Sequence, residues 1–267
     1  MKVAFIGAGK MATAIAAGML ERGGFDRGDI LAADVSAEAR DAFEKATGIV
    51  CSADSADVAS KSDAVFLAVK PQVGEEVATA LGDALDGKLL VSILAGTPIS
   101  TLSRWTGHGR VFRVMPNTPL MVGLGAVVFS QGPEVADTDR KLVETVFGAN
   151  GIVRELPEKL MDAVTALSGS GPAYFFEMID ALAEAGEHAG IPAETALELV
   201  AWTAAGAAEM VKAGRFGTPR GLRDAVTSPG GTTAAGLKVM GDAGFRKLMS
   251  EVVDAARKRS IELGGGK

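Results

Sequence analysis

Ser228-Pro229-Gly230-Gly231-Thr232-Thr233 puts a helix breaker, two glycines and three hydroxyls into six consecutive residues. Pro229 ends the helix before it, the glycines let the backbone approach a bound group, and Thr232-Thr233 open a new helix. Amides left free at a helix N-terminus attract anions, each interaction giving about 0.3–1 kcal/mol when exposed and more when partly buried. The chemistry expected here is capture of a small carboxylate by Ser228, Gly230, Gly231, Thr232 and Thr233. The Thr233 hydroxyl then serves a second polar atom beside it. A glycine-rich turn between two packed helices would use the same residues, so the run needs support from the rest of the chain.

That support begins at the other end of the sequence. Val3-Ala4-Phe5-Ile6 is a short apolar run of buried-strand character, followed at once by Gly7-Ala8-Gly9-Lys10-Met11-Ala12. The six residues fit G-x-G-x-x-G/A, and a helix rich in small residues follows from Thr13 to Arg22. Gly7 permits the tight turn, Gly9 lets a pyrophosphate reach the backbone, and Ala12 keeps helix and strand close. An acid, Asp34, ends the expected second strand Asp29–Ala33, 27 residues past Gly7. Such a carboxylate accepts hydrogen bonds from the adenosine ribose hydroxyls and repels a 2′-phosphate. No arginine follows directly; Val35 and Ser36 come next and Arg40 lies a turn later, so NADH is favoured over NADPH. An exposed loop acid is the alternative role for Asp34.

The elements that must hold these residues read as alternating strands and helices. Strands are expected at Ala64–Val69, Leu89–Ile93, Arg110–Met115, Gly123–Ser130 and Ile152–Leu156. In doubly wound sheets ligands collect at the carboxyl ends of strands, where Lys70, Ala95 and Asn117 fall. Lys70 is either a phosphate or ribose contact or a solvated lysine; Asn117 is either a cofactor contact or a turn residue bonding its own backbone. The full candidate cofactor set is Ile6, Gly7, Ala8, Gly9, Lys10, Met11, Ala12, Asp34, Ala68, Val69, Lys70, Pro71, Ala95 and Asn117. Past about Leu156 the pattern turns helical, over Glu158–Leu167, Pro172–Ala189, Pro192–Lys212, a short segment from Pro219, and Phe245–Leu263. Ser168-Gly169-Ser170-Gly171-Pro172 reads as a kink or restart, with Ser170 a candidate cap and Pro172 suited to a first turn. The expected division is a dinucleotide-binding α/β domain over 1–156 and an all-helical domain over 157–267. The Gly264-Gly265-Gly266-Lys267 tail is expected to fray. Small residues allow intimate helix packing, which makes the helical half a candidate for dimer formation.

Composition narrows the chemistry. The chain has 267 residues, a net charge of −6 and no basic run, which argues against nucleic acid as the main partner. One cysteine, Cys51, suits a reducing cytoplasm, and neither a signal peptide nor a membrane span is expected. The two histidines, His108 and His188, are isolated, so no metal site is expected. There is no nucleophile–base pair for hydrolysis. A dinucleotide and a carboxylate site together point to hydride transfer. Carbonyl reduction needs a proton donor for the developing alkoxide, whereas a protonated imine needs only hydride, so the lack of an acid/base dyad favours a C=N acceptor. A 3-hydroxyacid dehydrogenase-like reductase is the alternative enzyme; it needs a catalytic lysine or acid/base pair in the first long helix of the second half, where Lys159 lies only at the very start. A nucleotide sensor without turnover is the alternative outside catalysis.

Gly7–Ala12, Ala68-Val69-Lys70-Pro71-Gln72, Met115-Pro116-Asn117-Thr118-Pro119, Leu167 to Tyr174 and Ser228–Thr233 resemble the motifs of pyrroline-5-carboxylate reductases, in that family's order and over nearly the full chain. The resemblance implies reduction of 1-pyrroline-5-carboxylate to L-proline by NADH or NADPH. It implies a Rossmann domain followed by an all-helical dimerisation domain, with homodimers often assembled into rings. It also implies that the substrate carboxylate meets backbone amides of Ser228, Gly231, Thr232 and Thr233, that Thr233 bonds the ring nitrogen, and that a partner chain helps complete the site. Many members carry Asn-Arg after the second strand, an arginine that can hold a 2′-phosphate; here Asp34-Val35 stands there instead.

Overall fold

In the computed structural model, which describes residues 1–264, the first part of the chain folds as a doubly wound α/β sheet. Its strands are β1 Val3–Ile6, β2 Ile30–Ala33, β3 Cys51–Ser52, β4 Ala64–Leu67, β5 Leu89–Ser92, β6 Val111–Met115, β7 Gly125–Gln131 and β8 Gly151–Glu155. They lie in the order β3-β2-β1-β4-β5-β6-β7-β8, all parallel except the antiparallel β6–β7 pair. Helices α1 Lys10–Glu21, α2 Ala37–Thr47, α3 Ser55–Ser60, α4 Gly74–Leu81, α5 Ile99–Thr106 and α6 Asp137–Gly148 connect them. Next come α7 Met161–Val164, a π-turn over Thr165–Gly169, α8 Gly171–His188, α9 Ala193–Ala213, α10 Pro219–Ala225, α11 Thr232–Asp242 and α12 Phe245–Leu263.

Strands buried on both faces are mostly apolar, and β1 is so at every position: Val3 and Phe5 enter one core with Phe66, Phe43, Ile15 and Phe147, while Ala4 and Ile6 enter the other with Val65, Leu67 and Leu90. β1 pairs with β2 on one side and β4 on the other, so strand order reverses between β1 and β4. That switch point opens a crevice at the carboxyl ends of these two strands, where Gly7–Ala12 and Ala68–Pro71 lie.

The rim of the sheet is pinned by a charged pair. The Asp139 carboxylate is fully buried; it accepts two hydrogen bonds from the Arg110 guanidinium, at 2.7 and 2.9 Å, and one from the Ala136 amide at 3.1 Å. The Arg110 hydrogen bonds hold Asp139 below the usual carboxylate range, against the opposing effect of burial. Asp139→Asn should lower unfolding free energy near neutral pH by about 1–3 kcal/mol. A depressed folded-state value means this stabilisation is complete above the unfolded carboxylate pKa of about 3.9 and is lost as pH falls through the lower folded value. Urea melts of both proteins across acid pH check this; the gap between them should narrow only below about pH 4.

Contacts divide the chain into a unit of Met1–Ser170 together with the chain from Ala255, and a unit of Gly171–Asp254. The last turns of α12 therefore belong with the sheet. Within the second unit, α8 and α9 pack closely where a side chain on Gly186 would sit 3.2 Å from the Ala196 Cβ. Ala196 is the one buried apolar side chain among the described residues of that unit. Trp202 is 75% exposed and Phe175, Phe176, Leu182 and Leu199 are all more than half exposed. A groove of about 830 Å³ lined by Phe175, Leu182, Leu199 and Val211 runs along α8 and α9. No helix among the described residues is long and apolar enough to cross a membrane.

The expected kink at Ser168–Pro172 is a π-turn, in which the Ser170 amide donates to the Thr165 carbonyl at 2.8 Å. Ser170 stays in helical conformation (φ −82°, ψ −20°) and is not an N-cap, which would need an extended backbone. The cause lies at Pro172, which has no amide to give the Ser168 carbonyl and whose ring crowds it. Of the tail expected to fray, Gly264 donates its amide to Ser260 and Ile261 carbonyls, and residues 265–267 lie outside the described residues.

Candidate functional site

Gly7 follows β1 with φ +99°, and a side chain there would stand 2.7 Å from the Ala68 carbonyl oxygen at the end of β4. Only glycine satisfies both the dihedral and the contact. Gly9 is different in kind: it has φ −71° and ψ 178°, and a Cβ on it would meet no atom of the chain within 4 Å. Nothing in the protein forces glycine at position 9, so the empty space in front of it is room for something else. Gly9 is also the N-cap of α1 and supplies no side chain to it. The first-turn amides of Lys10, Met11 and Ala12 thus have no intrahelical partner. An uncapped helix start behind an open glycine fits a dinucleotide pyrophosphate.

Asp34, at the end of β2, is half-buried and already structural. Its carboxylate accepts the Ala8 amide at 2.7 Å and the Ser36 amide at 2.9 Å, tying the β2 end to the glycine loop. Each oxygen keeps a further acceptor site, enough for ribose hydroxyls. Around it, the Ser36 hydroxyl donates to Glu38 at 2.7 Å, which holds the Glu38 carboxyl below its ordinary value. Arg40 directs Nη1 to the carbonyls of Asp34 and Val35 at 2.9 and 3.1 Å. The backbone role of Arg40 was not expected from sequence; its place one helical turn after Asp34 was the available signal.

The strand-end candidates separate by partner. Ala68 and Val69 leave β4 beside the glycine loop, the Ala68 amide donating to the Ile6 carbonyl at 2.8 Å. Lys70 is exposed and Pro71 starts a 3-10 turn after it; Lys70 has no ion pair among the described residues. Ala95 is half-buried in the loop after β5. Asn117 is buried, and both ends of its amide are used: Nδ2 donates to the Ser168 carbonyl at 3.1 Å and Oδ1 accepts the Ala126 amide at 2.9 Å. Asn117 therefore takes up the very carbonyl that Pro172 leaves without a helical partner. Close by, Gly169 lacks a Cβ that would collide with the Met115 side chain.

In the second unit, Ser228–Gly231 forms a tight turn closed by the Gly231 amide on the Ser228 carbonyl at 3.0 Å. Pro229 takes the second position and Gly230, at φ +72°, the third, the arrangement of a type II turn. Gly231 is the N-cap of α11 and gives it no side-chain cap, so the amides at the start of α11 are free within the helix. The hydroxyls of Ser228, Thr232 and Thr233 have no hydrogen-bond partner among the described residues, and Thr233 is half-buried. Free amides and free hydroxyls on one turn can accept a carboxylate and one further polar atom. Among the described residues no cluster of histidine, cysteine and acids could hold a metal ion.

A doubly wound sheet with an open dinucleotide loop, joined to a helical half, defines the class of nicotinamide-dependent oxidoreductases. A profile described as "NADP oxidoreductase coenzyme F420-dependent" matches residues 2–96, and one described as "Pyrroline-5-carboxylate reductase dimerisation" matches residues 158–263. The pyrroline-5-carboxylate reductase of Arabidopsis thaliana is 46% identical over 265 residues, covering 98% of this chain and 95% of the relative. The chain belongs to the pyrroline-5-carboxylate reductase family. Two solved structures are similar over almost the whole length: the Plasmodium falciparum pyrroline carboxylate reductase with NADP bound, at 33% identity, TM-score 0.90 and coverage of 99% and 98% of the two chains, and the Coxiella burnetii pyrroline-5-carboxylate reductase, at 35% identity, TM-score 0.89 and coverage of 100% and 98%.

Proposed function

We propose that this chain reduces 1-pyrroline-5-carboxylate to L-proline, and that it prefers NADH. The observation that carries the reading is the Ser228–Gly231 turn feeding an uncapped α11, in a family member whose glycine loop is open at Gly9. The amides of Ser228, Thr232 and Thr233 bind the substrate carboxylate, and Gly230 permits the turn that aims them. The Gly231 amide, expected in the same set, is given to the Ser228 carbonyl that closes the turn. The Thr233 hydroxyl bonds the ring nitrogen. With its pyrophosphate held at Gly7–Ala12, a reduced nicotinamide dinucleotide would supply the hydride to the imine carbon. Because the nitrogen enters already protonated, hydride addition completes the amine and no separate acid is needed. Holding both ends of a small ring in register is the main contribution of the chain to rate.

The cofactor preference rests on charge around the β2 end. Asp34 and Glu38 are both acidic, Ser36 already donates its hydroxyl to Glu38, and the Arg40 Nη1 is engaged on backbone. A 2′-phosphate there meets two carboxylates at close range, each like-charge pair costing about 1 kcal/mol in water at 4 Å and more near protein. We expect kcat/KM with NADH to exceed that with NADPH by about tenfold or more. Steady-state rates with both cofactors check this, and a preference for NADPH would overturn the assignment of Asp34.

We assign the dinucleotide role to 1–156 and the substrate and dimerisation role to 157–267, the compact units dividing instead after Ser170 and returning the chain from Ala255 to the sheet. The open apolar faces of α8 and α9 support pairing of helical halves in a homodimer, with further assembly into rings of dimers as part of the same proposal. Burial of Cys51, which pushes its thiol up to about 11, suits the reducing cytoplasm we propose for it. Turnover of the imine with NADH, and none of a 3-hydroxy acid with NAD, is the expected outcome of a paired assay. Turnover of the hydroxy acid alone would replace this reading with the dehydrogenase one.

A further inference from the structure

Ser260 is among the few polar side chains that are buried, at 4% exposure, although it lies near the end of α12 and 98 residues from its partner. Its hydroxyl donates to Asp162 Oδ1 at 2.9 Å. The same oxygen accepts Arg113 Nη2, also at 2.9 Å. Arg113 is 5% exposed on β6, and its Nη1 stands 3.6 Å from Glu158 Oε1. That Glu158 oxygen in turn accepts the Ile99 amide at 2.6 Å, capping α5, whose own N-cap Pro98 supplies no side chain. One continuous chain of polar contacts thus runs from the last helix to the start of α5.

The loop joining β5 to α5 meets this chain of contacts at two points. At the α5 end, Glu158 fixes Ile99. Within the loop, Gly96, with φ +78°, lies so close to the α12 terminus that a Cβ on it would be 3.0 Å from the Ser260 carbonyl oxygen. Immediately before Gly96 lies Ala95, just beyond the carboxyl end of β5, where a doubly wound sheet meets its ligand. A buried guanidinium with two carboxylates is costly to form unless every member is paired, so loss of one link loosens the rest.

We propose that Ser260 is a positioning residue for the dinucleotide: through Asp162 and Arg113 it locks the end of α12 onto the Ala95–Gly96 loop, so that cofactor affinity depends on the last helix of the chain. The proposal rests on the reading of the glycine loop as a nicotinamide dinucleotide site. Nothing in the sequence motifs marks Ser260, since its partner is distant in sequence.

The test is NADH binding to the full-length protein, followed by nucleotide fluorescence, in Ser260→Ala and Ser260→Thr. Loss of the hydroxyl should raise the NADH dissociation constant about three- to tenfold, and threonine, which keeps a donor, should stay within about twofold of wild type. Amide exchange should quicken over Ala95–Thr97 in Ser260→Ala while β1 and β4 keep their protection. If Ser260→Ala does not fold, Ser260→Cys, with a weak donor of similar size, takes its place. A role in folding alone would lower Tm yet leave NADH affinity of the folded variant unchanged, and that result overturns the proposal. Failure of the wild-type protein to bind either NADH or NADPH would instead overturn the dinucleotide reading, and this inference with it.

Discussion

Replacing Gly9 with valine leaves the protein folded and raises the NADH dissociation constant by about 100-fold or more. The two halves of that expectation come from the same geometry. A Cβ at position 9 meets no atom of the chain within 4 Å, and the backbone there is extended (φ −71°, ψ 178°), a conformation a β-branched residue adopts readily. The protein therefore has no reason to unfold. The new methyl groups instead fill the space before the uncapped amides of α1, where we propose that the pyrophosphate sits. Losing two charge-assisted hydrogen bonds of about 1.5–3 kcal/mol each is enough for the stated effect. Gly7 supplies the contrast: valine there is strained by φ +99° and collides with Ala68, so its loss would appear first as instability. Calorimetric NADH titration and thermal melting of both variants separate the cases. Tight NADH binding by Gly9→Val would remove the glycine loop from the site.

Thr233→Ala should lower kcat/KM for 1-pyrroline-5-carboxylate roughly 10- to 100-fold, the cost of one transition-state hydrogen bond of ~1.4–2.7 kcal/mol. The hydroxyl has no partner among the described residues, so removing it breaks nothing within the chain. The amides proposed to bind the carboxylate remain, and KM should change less than kcat. Thr233→Ser should recover most of the activity because it retains the hydroxyl. Unchanged kinetics in Thr233→Ala would refute its contact with the ring nitrogen.

Local rules made much of the fold and both candidate loops legible. Apolar runs bounded by turn residues gave β1, β4, β5 and β6 to within a residue or two, because strands buried on two faces are mostly apolar, with Ser92 on β5 and Arg113 on β6 the buried polar exceptions. Gly7–Ala12 and Ser228–Thr233 were readable because their chemistry is carried by backbone, and backbone chemistry is written in glycine and proline. What escaped depends on distant partners. β3 has two residues, too few for a pattern. Asn117 stands at a strand end as a ligand contact would, yet its amide joins Ala126 to Ser168, a link that follows only once Pro172 is seen to strand a carbonyl. The return of α12 to the sheet rests on Ser260 and Asp162, whose pairing no local pattern encodes. The sequence marked α8 and α9 as helical and as a candidate pairing region, but which of their apolar side chains stay exposed follows only from the structure, since periodicity does not say what covers a face.

The most direct measurement is stoichiometry: NADH consumed against proline formed, with purified protein and 1-pyrroline-5-carboxylate. One proline per NADH oxidised is the predicted result, with activity lost in Gly9→Val and sharply reduced in Thr233→Ala. A protein that binds NADH yet forms no proline from the imine would contradict the account at its centre and leave a nucleotide-binding chain without this chemistry.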